Sequence, residues 1–413
     1  MSAARMRILF MPEGGILAHV GRAVAVADAL DRERCDVAFA VSGAQADKLP
    51  AAYPNDASIY TRPREEMMAR LRAGKSAFDA ATLEKCVRDE IRVLEEKSPD
   101  VVVGDFRLSL GISAAVTRIP YVNIANALWT PHCAVSFDPP ASWEGTRILG
   151  KTVARWLARH ATPFVYKRYA RPFNQVRRQH GLKGDMRDVR ACMCSDNLNL
   201  LADLEEFMPS KDLPRDQFRY VGPILWEPAV PEPPWLARLE NEPKQAPVVY
   251  ITMGSTGALH MIRRMAEALC SRGLRVVCTT ASETYDSDWP AECYTAAYAP
   301  GRRLCALASA VVCHGGNGTI YQALSEGAPI IGAPEFHDQD FQMQRVETLG
   351  LGRMARPDSV EDLCDKTLGV LNDTGFAERA RAFAGKIADH PGASNAARAI
   401  EQYAAAHAGA AVA

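Results

Sequence analysis

Two groups of residues in this chain have types and spacings that can do chemistry. The first is His314-Gly315-Gly316-Asn317-Gly318-Thr319, which follows the apolar run Ala310-Val311-Val312-Cys313 and precedes a helical pattern with Ile320 and Leu324 on one face. A strand, a glycine turn and a helix start in succession present unpaired backbone N–H groups at the positive end of a helix dipole, which suits a phosphate. His314 adds a ring donor, and Thr319 adds a hydroxyl, as does Ser255 in a turn that closes another apolar run. The same turn serves equally well as a tight bend that needs positive φ at glycine. The second group is His19, in Glu13-Gly14-Gly15-Ile16-Leu17-Ala18-His19, and Asp105, in Val103-Gly104-Asp105-Phe106; each segment follows or ends an apolar run. An alcohol must lose a proton as it attacks an electrophilic carbon, and imidazole is a base suited to neutral pH. A carboxylate on its other nitrogen fixes the tautomer and stabilises the imidazolium. Each residue also has a plainer reading: His19 as an ordinary loop histidine, Asp105 as an N-cap for a helix starting near Leu108.

These residues need strands to hold them. Short apolar runs at 7–10, 37–41, 99–103 and 120–124 read as strands. Val20, Val24, Ala27 and Leu30, and then Leu83, Val87, Ile91 and Leu94, mark amphipathic helices between them. Alternation of this kind predicts a parallel sheet covered by helices. The pattern breaks from about 137 to 235, where long helical stretches give way to Pro223, Pro228, Pro231, Pro233 and Pro234. It resumes with strands at 248–253, 275–279, 310–313 and 329–334. The reading is an α/β protein of two doubly wound domains, 1–222 and 236–394, with a linker at 223–235. An alanine-rich terminal helix at 395–413, prone to fraying, can return to the first domain.

The bulk properties exclude several classes. The chain has 413 residues, 48% of them hydrophobic and 23% charged, and a net charge of -1. That is an ordinary globular composition with no overall attraction to nucleic acid. The 11 cysteines are scattered without CxxC pairs, which predicts reduced thiols in a cytoplasmic protein. No secretory leader pattern and no membrane-spanning run are evident.

The residues around the glycine turn make it more specific. Tyr298-Ala299-Pro300-Gly301 lies upstream and Asp338-Gln339 downstream. This ordered set resembles the donor signature of the inverting nucleotide-sugar glycosyltransferases of GT-B fold, the family of the macrolide and natural-product transferases. The family's bacterial motif His-Gly-Gly-x-Gly-Thr is matched by 314–319. The resemblance implies two Rossmann-like domains facing a central cleft, with the acceptor on the N-terminal one and the nucleotide sugar on the C-terminal one. By position, Tyr298 stacks on the base and Ala299 meets its edge. His314, Gly316, Asn317, Gly318 and Thr319 hold the diphosphate, with Ser255 nearby, and Asp338 and Gln339 bind sugar hydroxyls. The Glu13–His19 loop is similar to the family's Gly-x-x-His loop, whose His is the general base, and Asp105 to its second catalytic residue. The implied reaction moves a hexose from UDP- or dTDP-sugar, as co-substrate, to a hydroxyl of a small apolar or aromatic acceptor, with no metal and no other cofactor. Three positions depart from the family. Gln322 stands where plant members have a ribose-binding Glu, Gly301 where they have Gln, and Arg22 where Pro is frequent. The first two leave UDP against dTDP open.

The acceptor is less legible. Ile16 in the histidine loop and Trp129, His132, Phe137 and Trp143 after the fourth strand are candidates to line its pocket. From Arg147 to Arg190 there are twelve Lys or Arg, opposed only by Asp185 and Asp188, and Val153, Trp156, Leu157, Phe164, Val165, Tyr169, Phe173 and Val176 supply an apolar face. Such a helix packs on a domain with a solvated basic face, or makes peripheral membrane contact. The alternatives to a natural-product transferase are a glycolipid transferase at a membrane surface, a sugar-nucleotide epimerase, and a catalytically silent auxiliary protein of the same fold.

Overall fold

The computed structural model describes residues 5–139, 144–241, 246–253, 259–281 and 289–407. Ser255 and Trp143 lie outside the described residues. The chain forms two compact units, one of Met1–Trp226 with Pro391–Ala413, the other of Glu227–His390.

The first unit is built on β1 (Met6–Pro12), β2 (Cys35–Phe39), β3 (Val101–Asp105), β4 (Tyr121–Ala125), β5 (Leu198–Leu201) and β6 (Phe218–Tyr220). These strands are parallel and ordered β2-β1-β3-β4-β5-β6. Helices cover the sheet, so its inner strands are apolar on both sides: Val101, Val102 and Val103 are all buried. The second unit contains β7 (Val248–Thr252), β8 (Arg275–Thr279), β9 (Cys293–Ala296), β10 (Ala310–Cys313), β11 (Ile330–Gly332) and β12 (Gly352–Met354). Its parallel order is β12-β11-β10-β7-β8-β9. Each sheet has one point where successive connections leave in opposite directions, between β1 and β3 and between β7 and β10. In open α/β sheets the crevice at the C-terminal ends of such strands is where ligands bind.

Several sequence expectations change. Strands β5, β6, β9 and β12 had no apolar run long enough to announce them; each is four residues or fewer. Apolar residues between 153 and 176 were expected on one face of one helix, yet they divide. The helical segment Glu144–Gln179 breaks at Gly150 (φ 75°) and contains Pro163 and Pro172. Phe173 and Val176 are buried, in a cluster that also holds Leu83 and Val87. Val153, Trp156, Phe164 and Val165 are exposed.

The two units meet in sequence at Trp226 and Glu227, inside the 223–235 segment, and both sides of it are packed. Trp226 packs against the core of the first unit. Trp235 belongs to the second unit, donating its indole N–H to the Thr295 carbonyl at 2.9 Å. The terminal helix, Gly392–His407, does not fray within the described residues. It buries Ala396, Ala397, Ile400 and Ala404 in the same cluster as Val20, Val24 and Ala27 of the first helix. Asn395 donates to the Val221 carbonyl at 2.9 Å, and Glu401 accepts from the Asp31 N–H at 2.9 Å. Among the described residues, no helix is long and apolar enough to cross a membrane.

Candidate active site

In the first unit the site grows from the β1/β3 pairing. The register sets Pro12 beside Asp105, and the Glu13 N–H donates to the Asp105 carbonyl at 2.9 Å. That contact turns the chain out of β1 directly over the end of β3. The loop leads into the helix Leu17–Asp28, so His19 lies in a first helical turn rather than on a loop. Its Nδ1 is 2.6 Å from Oδ1 of Asp105. His19 keeps 14% of its side-chain exposure and Asp105 keeps none. Asp105 does not cap a helix, because the next one begins at Leu110 after Ser109.

Arg22, one turn along the same helix, donates Nε to Asp105 Oδ2 at 2.8 Å and Nη2 to Oδ1 at 2.6 Å. Its Nη1 donates to Asn126 Oδ1 at 2.9 Å. Burial pushes the Asp105 carboxyl up, but Arg22 and then His19 outweigh it and hold the carboxyl below the usual range. An ionised Asp105 accepts, so His19 Nδ1 donates to it, with Arg22 Nη2 3.2 Å from the same ring nitrogen. Phe106 stacks on the imidazole, with centroids 4.8 Å apart and planes 5° apart. It does so at φ 53°, a left-handed conformation that is uncommon for a bulky residue and concentrates at functional sites. Trp129 packs tilted against Phe106 in turn, with ring centroids 6.2 Å apart.

Below the loop lies a second charged cluster. Arg107 Nε donates to Glu90 Oε1 at 2.6 Å, Ser109 donates to Oε1 and Ser113 to Oε2, and all four side chains are buried. Arg107 also approaches Glu13 at 3.8 Å, and Glu13 accepts from the Gly15 N–H at 3.2 Å. Burial pushes the Glu13 carboxyl up, against Arg107 and the Gly15 N–H. This cluster fixes the loop that carries Ile16 and leads to His19. Sequence reading missed Arg22, Asn126, Phe106 and the Glu13–Arg107–Glu90 cluster. The one available signal was Arg22 itself, three residues after the His, at a position noted only as a departure.

The other acceptor candidates are less gathered. Ile16 is the N-cap of the His19 helix, while His132 packs edge-on against Phe218 at 5.0 Å, and Phe137 is partly buried.

In the second unit the turn after β10 is built around two close approaches. Gly315 has φ 83°, and a Cβ there would come within 2.8 Å of Met343 Cγ. A Cβ on Gly316 would come within 2.5 Å of His314 Nε2, so the Nε2 corner of the imidazole occupies the space that glycine leaves. Gly316 is the N-cap of Asn317–Ser325, which no side chain caps and whose first turn has no acidic residue. A helix N-terminus of this kind is able to bind an anion, and here it is formed by Asn317, Gly318 and Thr319. Burial pulls His314 down to about 4, so the ring is neutral near pH 7, and its buried Nδ1 has no hydrogen-bond partner among the described residues.

Met343 belongs to the helix His337–Thr348, and its contact with Gly315 sets that helix against the turn. Asp338 and Gln339 stand in its first turn. Burial pushes the Asp338 carboxyl up, opposed by its own N–H and that of Gln339. Gln339 Oε1 accepts from the N–H groups of Glu335 at 2.9 Å and Phe336 at 3.2 Å, so this oxygen holds the turn. Tyr298 is 50% exposed and donates to the Ala281 carbonyl at 3.3 Å, leaving a ring face open beside Ala299. Gln322 and Gly301, the two departures, touch: a Cβ on Gly301 would meet Gln322 Nε2 at 2.9 Å.

Known proteins share this architecture. Residues 274–403 match the family described as Erythromycin biosynthesis protein CIII-like, C-terminal domain. The chain is 36% identical over 387 residues to a PGL/p-HBAD biosynthesis glycosyltransferase of Mycobacterium tuberculosis, covering 92% of this chain and 89% of that protein. It is 35% identical over 390 residues to a PGL/p-HBAD biosynthesis rhamnosyltransferase of Mycobacterium bovis, covering 94% and 85%. A solved structure of a spinosyn rhamnosyltransferase complexed with thymidine diphosphate superposes with a TM-score of 0.66 at 20% identity, over 96% of this chain and all of that one. With two six-stranded parallel sheets and relatives of this identity along nearly its whole length, the chain belongs to the nucleotide-sugar glycosyltransferases of GT-B fold, the macrolide-transferase family, and is itself a glycosyltransferase.

Proposed function

We propose an inverting, metal-independent hexosyl transfer from dTDP- or UDP-sugar to a hydroxyl of a small apolar or aromatic acceptor, with His19 as general base and Asp105 as its orienting partner. The observation that carries this reading is the His19–Asp105 pair at 2.6 Å, at the switch point of the first sheet. His19 Nε2 takes the hydroxyl proton while the oxygen attacks the anomeric carbon from the face opposite the nucleotide. The bond from that carbon to the diphosphate oxygen breaks, and its electron pair leaves with the nucleotide. The imidazolium formed on His19 is stabilised by Asp105. Charge developing on the diphosphate meets the uncapped N-terminus at Asn317, Gly318 and Thr319, with Gly316 and His314 beside it.

The remaining roles follow the same reading. Tyr298 offers its open ring to the base and Ala299 its backbone to the base edge, Gln322 faces the ribose, and Asp338 and the amide NH2 of Gln339 serve the sugar hydroxyls. Ser255 adds a donor to the diphosphate. Ile16 and Trp129, with Phe106, wall the acceptor; His132, Phe137 and Trp143 are the further residues to test for contact with it. A relative named as a rhamnosyltransferase and a neighbour bound to thymidine diphosphate make dTDP-sugars the first donors to test. The 11 free cysteines support a reducing, cytoplasmic setting.

The test is a donor panel read by mass spectrometry, with nucleotide binding followed by calorimetry. His19→Ala is expected to bind nucleotide as the wild type does and to lose transfer by about 10²- to 10⁴-fold. Transfer at the wild-type rate would remove His19 as the base.

A further inference from the structure

We propose that the helix Glu144–Gln179 docks this protein on an anionic lipid surface. The inference does not depend on the reaction assigned above. It starts from exposure: Val153 is 47%, Trp156 59% and Phe164 77% exposed, on a helix that already buries Ala154, Ala170, Phe173 and Val176 elsewhere. A helix normally spends its large apolar side chains on its core face. Here the exposed ones form their own stripe. Residues 153, 156, 160, 164, 167 and 171 succeed one another at intervals of three or four, so they share one side of the helix. His160 extends the apolar part, its ring 4.5 Å from that of Trp156. Lys167 and Arg171 then continue the stripe as cations.

Charge selects the occupant. Between Gly145 and Gly184 there are ten Lys or Arg and no Asp or Glu, in a chain whose net charge is -1. Arg155 is held by Asp138 and Arg178 by Asp185. Arg159, Lys167, Arg168 and Arg171 have no ion-pair partner among the described residues, and all four are exposed. Arg159 and Arg168 flank the stripe on opposite sides. A second copy of the chain is a poor fit, because a two-fold contact through this surface sets cations against cations. An anionic bilayer fits both parts. Val153, Trp156 and Phe164 enter the boundary between headgroups and acyl chains, and the four cations meet lipid phosphates.

The experiment is co-sedimentation of the full chain with vesicles of pure phosphatidylcholine and of equal parts phosphatidylcholine and phosphatidylglycerol, at low and high salt. Binding is expected only to the anionic vesicles, weakening as salt rises. Each basic side chain near such a surface is worth about five-fold in partitioning, so Arg159→Gln with Lys167→Gln and Arg168→Gln together should cost about a hundred-fold. Val153→Ser with Trp156→Ser and Phe164→Ser should abolish binding at high salt first. All six positions are exposed, so unchanged melting curves will show that the fold is intact. Absence of binding to anionic vesicles at low salt overturns the proposal, as does binding that neither triple variant alters. A dimer in solution that the serine variant dissociates, without vesicle binding in the wild type, also overturns it and assigns the stripe to a protein partner.

Discussion

Replacing Arg22 by Gln tests whether the dyad is held by its own pair or by the guanidinium behind it. Asp105 is fully buried and receives two hydrogen bonds from Arg22 and one from His19. Removing one partner of a buried ion pair costs about 3–5 kcal/mol, because the other charge is left uncompensated. His19 remains beside Asp105, which places the loss at the lower end, about 3 kcal/mol. For a unit of this size that lowers the melting temperature by roughly 6–12 °C. The pH dependence has a definite sign. Asp105 is held below its unfolded value, so the pair stabilises the fold at pH above the unfolded carboxyl pKa, about 3.9, and that stability fades as pH falls through the folded value. The gap between wild type and Arg22→Gln should therefore be full at neutral pH and close on acidification. Without Arg22 the Asp105 carboxyl is easier to protonate and no longer pinned in orientation. The turnover number should then fall by about 10²-fold or more while donor KM stays put, since no donor residue is touched. Arg22→Lys, which keeps charge but loses the fork, should recover part of both. Calorimetric melts at neutral pH and in steps below about pH 3.9, with steady-state kinetics at neutral pH on the same preparations, make the test. Wild-type stability and turnover in Arg22→Gln would refute the reasoning and return Asp105 to His19 alone.

Three other outcomes follow from the second unit. Gly316→Ala drives a methyl into the His314 ring, so donor KM should rise roughly ten- to a hundred-fold with the melting curve little changed; unaltered KM would show that the ring is not needed in place. Because burial pulls His314 down to about 4, titrations of nucleoside diphosphate should show no gain in affinity from this ring as pH drops from 8 to about 5.5; tighter binding that Thr, Asn or Gln in place of His314 abolishes would contradict it. Gln322→Glu puts a carboxylate beside Gly301 and should shift the preference from dTDP- toward UDP-sugar by about ten-fold or more in kcat/KM, read from paired donor assays; an unchanged ratio would remove this position from nucleotide choice.

What the sequence made legible was whatever is local. Ala310–Cys313 followed by Gly315 and Gly316 spells strand, turn and helix start within ten residues, and the buried strand Val101–Asp105 is nearly continuous apolar sequence. Short edge strands were silent because Phe218-Arg219-Tyr220 and Gly352-Arg353-Met354 bury too little to show a period. The pairing of His19 with Asp105 could be suspected, since both residues follow apolar runs, but its support could not. Arg22 meets Asp105 across 83 positions and Glu90 meets Arg107 across 17, and no spacing rule links them. The basic helix misled in a different way. Gly150, Pro163 and Pro172 interrupt its period, so two apolar stripes of different purpose read as one.

The placement of the last helix has a consequence for how the protein is made. Ala396, Ala397 and Ile400 complete a core begun by Val20 and Val24, so the first unit is closed by residues that follow the whole second unit in sequence. During synthesis the second unit, uninterrupted in sequence, emerges whole while the first still lacks a wall. At about 5–20 residues per second, the first unit waits roughly 10–40 s for its closing helix. Through that interval the apolar face of Val20, Val24 and Ala27 stays uncovered, and a chain cut short before Gly392 would carry a whole second unit beside an unsealed first one.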